Sequence, residues 1–287
     1  MRRAIGAERR SVAAAPLRRS LLAFAMAAAV GCSQSATPRP EGSRTPASSV
    51  SASPTLTSTP TPGTVPLRED SRAVSFRASD GTRLAGRLFP GGPTAIVLSH
   101  MGNPGNDQGD WFTTAGMLAD RRYTVLTYNR RGVCPGGLEG CSRGIDVYGE
   151  HWRDVVGAVR YLHARGHATV VLIGASIGAM ASFRAAERPA LDIDGVVWIA
   201  GLDAGPGYLF DRPDVRTVKV PKLFISTEDD LSGGADSARR MFRWSVAPKL
   251  LVIVPGREHG TDMITSGTAW PDVFRTIVRF LQTYARG

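Results

Sequence analysis

The sequence predicts an α/β fold over residues 68–287: a mainly parallel sheet of about eight strands with helices on both faces. Three observations carry this. From residue 94 onward, short apolar runs of strand length alternate with stretches of helical period. The runs are apolar at consecutive positions, as in "TAIVLSH" (Thr94–His100) and "TVVLIG" (Thr169–Gly174), which suits strands covered on both faces. The connections between runs are long enough to hold a helix, so the strands they join can lie parallel.

Taken in order, "AVSFRAS" (Ala73–Ser79) and "RLAGRLF" (Arg83–Phe89) flank Asp80-Gly81 and read as a hairpin. Strand Thr94–His100 runs into the turn-rich "MGNPGNDQG", then helix Trp111–Arg121 and strand Tyr123–Asn129. Val147–Arg165 reads as a long helix with Asp146 as its N-cap and Val155, Val156, Val159 and Leu162 on its apolar stripe. Strand Thr169–Gly174, helix Ile177–Glu187 and strand Ile193–Ala200 come next. The polar connection Gly201–Pro221 has room for one short helix at most. Strand Lys222–Thr227, helix Gly234–Trp244, strand Lys249–Pro255 and helix Pro271–Ala285 complete the chain. Sites in such sheets form at the carboxyl ends of the strands.

The residues before this domain have another character. Six arginines and one acid precede the ten-residue apolar run "LLAFAMAAAV" (Leu21–Val30), too short to span a bilayer but of the length of a signal-peptide core. It ends in "AVGC", which resembles a bacterial lipobox with Ala29 at the usual leucine position and Cys32 as the lipid-anchored residue. "RRSLL" (Arg18–Leu22) resembles a twin-arginine export signal without its usual phenylalanine. Residues 32–67 are dominated by Ser, Thr, Pro and Ala, a composition that cannot bury enough apolar surface to fold and predicts a disordered tether. The expected organisation is therefore a signal peptide (1–31), a tether (32–67) and a domain (68–287), exported and lipid-anchored on the extracytoplasmic face of a bacterial membrane.

The net charge of +10 is concentrated in the leader, and the domain holds 27 basic and 23 acidic residues. It shows no basic stripe interleaved with aromatics, so nucleic-acid binding is not indicated. Cys134 and Cys141 lie seven apart on the Gly-rich loop "CPGGLEGC". In an oxidising compartment they are expected to form a small disulfide, two free thiols being the alternative. Nothing in the sequence sets an oligomeric state, and it offers no convincing metal or cofactor site.

Gly174-Ala175-Ser176-Ile177-Gly178 sits between an apolar run and a helix. A serine on so sharp a turn needs small residues two places either side, and the next N–H, that of Ile177, then points toward a carbonyl under attack. The helix N-terminus adds positive potential there. A serine nucleophile also needs a base. His151, His163 and His167 lie in or just after the helix before this strand and read as packing or surface residues. His100 ends a strand and reads as loop-shaping. His259, in the polar "VPGREHGTDM" past the last strand, alone follows Ser176 in sequence, at the same sheet edge. "STEDD" supplies an orienting carboxylate between them: Asp230 is favoured, with Asp229, Glu228 and Asp203 as alternatives.

The order Ser176, Asp230, His259 on alternating strands and helices resembles the α/β-hydrolase family, across residues 68–287. "VLSHMGNPG" resembles the family's His-Gly loop, which implies a second oxyanion N–H from Met101, with Gly102 as the alternative donor. "TYNRRGVCPGG" resembles the family's Asp-x-Arg-Gly-x-Gly turn, with Asn129 at the aspartate position. The acid turn of the family favours its final aspartate, here Asp230. The resemblance implies ester hydrolysis through an acyl-enzyme in an open cleft with little or no cap, without cofactor or metal. It points to the dienelactone-hydrolase-like and short-chain carboxylesterase branches. Acyltransferase or peptidase activity on the same residues, and a catalytically silent surface binding domain, are the alternatives. The substrate is then a small-molecule, lipid or polysaccharide ester, and Met101, Tyr208, Leu209 and Phe210 either line an apolar pocket for it or simply pack.

Overall fold

Every predicted apolar run is a strand. β1 (Arg72–Arg77), β2 (Arg83–Phe89) and β3 (Ala95–Ser99) lead into α1 (Phe112–Ala119), β4 (Thr124–Tyr128), α2 (His151–His163), β5 (Val170–Ala175), α3 (Ile177–Ala186) and β6 (Gly195–Ile199). After them come β7 (Ala204–Gly205), β8 (Tyr208–Leu209), α4 (Arg212–Thr217), β9 (Lys222–Thr227), α5 (Gly234–Trp244), β10 (Lys249–Val254), α6 (Asp262–Thr265) and α7 (Trp270–Tyr284). The computed structural model describes residues 67–285; the expected signal peptide, the tether up to residue 66 and Cys32 lie outside the described residues.

The main sheet has eight strands among the described residues, in the order β1-β2-β4-β3-β5-β6-β9-β10. β1 pairs antiparallel with β2, and β2 with β4. The other pairings are parallel. The two faces follow from the period of two along each strand. Ala95, Val97, Val170, Leu172, Val196, Trp198 and Phe224 face α2, α3 and α5. Ile96, Leu98, Val171, Ile173, Val197, Ile199, Leu223 and Ile225 face α1, α6 and α7. Each of the Val, Leu, Ile and Phe side chains among them contributes about 1.5–3 kcal/mol on burial. That is why the central strands read as unbroken apolar runs.

Two features differ from the sequence expectation. Asp146 does not cap the long helix: a 3-10 turn, Tyr148–Glu150, intervenes and α2 begins at His151. The Asp146 carboxylate instead accepts from Arg130 Nε and from His151 Nε2, the latter at 2.7 Å. A bond from the Arg130 guanidinium, joined by one from the His151 ring, outweighs one backbone N–H at a helix end. The second difference lies in the β6–β9 connection. Besides the short helix it holds the two-stranded ribbon β7–β8, too short to be seen as a sequence pattern. No cap domain is present among the described residues.

Glu187, at the end of α3, faces a pH-dependent cost. Burial pushes its carboxyl up to about 7 despite the Arg184 charge beside it. One of its oxygens is buried without a hydrogen-bond partner among the described residues. A carboxyl raised in the folded state stabilises the fold below its unfolded value of 4.5, and that contribution is lost as pH rises toward 7. Glu187→Gln is therefore expected to reduce the fall in Tm between pH 5 and pH 8, measured by thermal melts. An unchanged fall would contradict it.

Candidate active site

β5 runs straight into a sharp turn at Ser176, at the head of α3. Ser176 has φ 53° and ψ −120°, a strained conformation for a residue with a side chain, costing on the order of 1–3 kcal/mol. The turn closes because two glycines allow it. A Cβ on Gly174 would lie 2.2 Å from the Gly178 carbonyl oxygen, and one on Gly178 would lie 2.3 Å from that of Ser99. The Ser176 N–H donates to Ile199 O at 2.9 Å, fixing the turn to the neighbouring strand β6. The side chain is thereby lifted above the sheet edge at the N-terminus of α3.

The loop after β10 brings His259 to this serine: its Nε2 lies 2.8 Å from Ser176 Oγ. Its Nδ1–H donates to Asp230 Oδ2, also at 2.8 Å. Two bonds between the loops hold this placement, Thr227 Oγ1 to Glu258 O and Asp229 N–H to Gly256 O. Burial pushes the Asp230 carboxyl up, but bonds from His259 and from the Ser232 and Gly234 N–H groups outweigh it and leave it below the ordinary range. It is thus held ionised beside the imidazole. The alternative acids stand elsewhere. Glu228 and Asp229 are exposed, and Asp203 is engaged by Arg240 and Ser237.

The turn after β3 completes the site. The N–H groups of Ile177, Met101 and Gly102 make no hydrogen bond among the described residues. The carbonyls of the turn, in contrast, are tied down. Met101 O accepts from Arg130 Nη1 at 2.8 Å and from His100 Nδ1 at 2.9 Å. Gly102 O accepts from the Tyr148 hydroxyl at 2.9 Å and from Arg130 Nη2 at 3.3 Å. His100 Nε2 in turn accepts from the Arg130 N–H, so burial and the adjacent guanidinium keep this imidazole neutral. Asp146 braces Arg130 from behind; burial raises its carboxyl, but His151 and Arg130 bring it down to about 2. With its carbonyls drawn toward Arg130, the turn keeps N–H groups available on its other side. Sequence reasoning missed Arg130 and Tyr148, since neither residue type announces a partner 28 or 46 positions away.

The substitution of Asn129 for aspartate has a structural explanation. Its Oδ1 accepts from the Gln108 N–H, and its Nδ2 donates to the carbonyls of Glu139 and Gly140. An aspartate has no donor for those two carbonyls. They belong to the loop closed by the Cys134–Cys141 disulfide. Arg131, next but one along, is held by the fully buried Asp154 through its Nε and Nη2.

A cavity of about 300 Å³ opens at Ser176 and His259, walled by Ile177, Met180, Leu202, Pro206 and Tyr148. The four residues considered for its lining are not among them. Tyr208 and Phe210 are core residues packed with Phe183 and Trp198, Leu209 is 70% exposed, and Met101 packs against Gly260. The β7–β8 ribbon turns Tyr208 and Phe210 inward, which no local sequence pattern reveals.

Residues 96–285 match the alpha/beta hydrolase family. The chain belongs to that family. Among curated proteins none matches it. Solved structures share the fold at low identity. The Pyrococcus furiosus esterase Pf2001 is 14% identical with a TM-score of 0.61, over 75% of this chain and 93% of that one. The enol-lactonase from Burkholderia xenovorans LB400 is 19% identical with a TM-score of 0.57, over 72% and 99%. The esterase domain of a Rhodothermus marinus protein is 20% identical with a TM-score of 0.58, over 76% and 100%.

Proposed function

We propose that this chain is a serine hydrolase that cleaves carboxylic esters through an acyl-enzyme. The hydrogen-bonded relay Ser176–His259–Asp230 is the observation that carries this. Ser176 Oγ attacks the ester carbonyl while His259 Nε2 takes its proton, and Asp230 stabilises the imidazolium. The oxyanion is held by the N–H groups of Ile177 and Met101, with Gly102 as the alternative to Met101, and by the positive end of α3. Collapse expels the alcohol, protonated by His259. Water, deprotonated by His259, then attacks the acyl carbon and releases the acid and Ser176. The aliphatic walls from Met180, Leu202 and Pro206 and the absence of a cap domain among the described residues favour short acyl chains in an open cleft. This agrees with the dienelactone-hydrolase-like or carboxylesterase-like branch. The purified protein is expected to release p-nitrophenol from p-nitrophenyl butyrate with butyric acid as product. No release above that of heat-inactivated protein would contradict the assignment.

The domain is proposed to be exported and anchored through lipidated Cys32 on a tether ending near residue 67, a reading supported by the leader's composition. In a bacterial host Cys32→Ala should move the protein from the membrane fraction to the soluble one; unchanged partition would contradict the anchor.

A further inference from the structure

A second cavity, of about 440 Å³, lies beside the first and shares Gly102, Asn103 and Tyr148 with it. Around Ser176 the wall combines Met180, Leu202 and Pro206 with Ser232 and His259. The second cavity extends from the shared Asn103 to Asn106 and Asp107, beside the Arg130–Asp146 pair. We propose that this second compartment is the alcohol subsite, and that it receives a neutral, hydroxyl-rich leaving group such as a polyol or sugar. This rests on the ester-hydrolase reading and narrows its substrate class.

The polar groups that remain for a ligand are amides and a carboxylate. The Asn103 side chain is exposed and has no hydrogen bond among the described residues. Asn106 uses its Nδ2 on Asp110, and Asp107 uses its Oδ1 on the Gly109 N–H. Asn106 Oδ1 and Asp107 Oδ2 are therefore free to accept, and Asn103 to donate or accept, which is the complement of a hydroxyl array. Charged ligands fit less well. The Arg130 guanidinium is consumed by two carbonyls and Asp146, so no cation is left to meet a carboxylate or phosphate. An anion would also face Asp107. A cationic ligand finds Asp146 already paired with Arg130 and only the Asp107 carboxylate left to attract it, which makes a cationic leaving group the competing outcome of the test. Pro104, Val133 and Pro135 add apolar surface for the C–H faces of such a group.

Two butyrates with the same acyl group test this, glycerol monobutyrate and ethyl butyrate, with p-nitrophenyl butyrate as the measure of activity itself. The wild-type protein is expected to show about tenfold higher kcat/KM for glycerol monobutyrate than for ethyl butyrate, the scale of one or two hydrogen bonds. Asn103→Ala and, separately, Asp107→Asn should each lower that ratio several-fold. Asparagine at 107 keeps the acceptor for the Gly109 N–H, so the turn should survive in that variant. Equal kcat/KM for the two butyrates, or an unchanged ratio in both variants, would overturn the subsite while leaving the hydrolase assignment intact. Preference for the butyrate of choline would overturn it in favour of a cationic leaving group. Failure of wild type on p-nitrophenyl butyrate would overturn both.

Discussion

Ser176→Ala is expected to lower kcat for p-nitrophenyl butyrate by about 10⁴-fold or more. The change removes only Oγ. Among the described residues the hydroxyl bonds only to His259, so no buried partner is stranded in the core. Alanine has a Cβ like serine, so the strain at φ 53° is retained rather than relieved. The melting temperature should therefore stay close to that of wild type, which separates lost chemistry from lost folding. In the proposed mechanism, what remains after the change comes from oxyanion binding by the N–H groups of Ile177 and of Met101 or Gly102, acting on water. A variant with wild-type kcat would remove the serine from the mechanism.

The next largest effect is expected at the acid. Asp230→Asn should lower kcat by about 10³- to 10⁴-fold, although in the proposed mechanism the residue acts only through His259. Asp230 Oδ2 accepts from His259 Nδ1–H, which leaves Nε2 bare to take the serine proton. An asparagine that turns its NH₂ to the ring makes Nδ1 the acceptor and puts the proton on Nε2, the wrong tautomer for a base. It also removes the charge that stabilises the imidazolium. Asp229→Asn, one residue away but exposed, should change kcat by no more than about twofold, the usual scale for a surface site. Kinetics of the two variants side by side check this; a larger loss at Asp229 would relocate the acid.

Much of the fold was legible because the core strands are two-sided. Val170–Ala175, Gly195–Ile199 and Lys222–Thr227 are buried at every position, so their apolar runs could be read without a partner. Strand order was not legible, since it depends on crossovers that local pattern does not encode. The β5–α3 turn could be read because its steric demands fall on Gly174 and Gly178, two residues away. The carboxylate was legible to within a four-residue choice. Proximity in three dimensions separates the candidates, with Asp203 drawn off by Arg240 and Asp230 turned toward His259. Arg130, Tyr148 and Asn129 act through backbone carbonyls, which carry no sequence identity. Asp146 misled for a related reason: an acid before a helix looks like a cap until a guanidinium and an imidazole compete for it.

The central claim is that Ser176 is an activated nucleophile, and a fluorophosphonate probe tests it without knowledge of the substrate. Such reagents phosphonylate a serine only when a base and an oxyanion site act on it together. Mass spectrometry of the digested, labelled protein should find a single adduct on the peptide containing Ser176, and His259→Ala should abolish it. No adduct, or an adduct on a different peptide, would contradict the account.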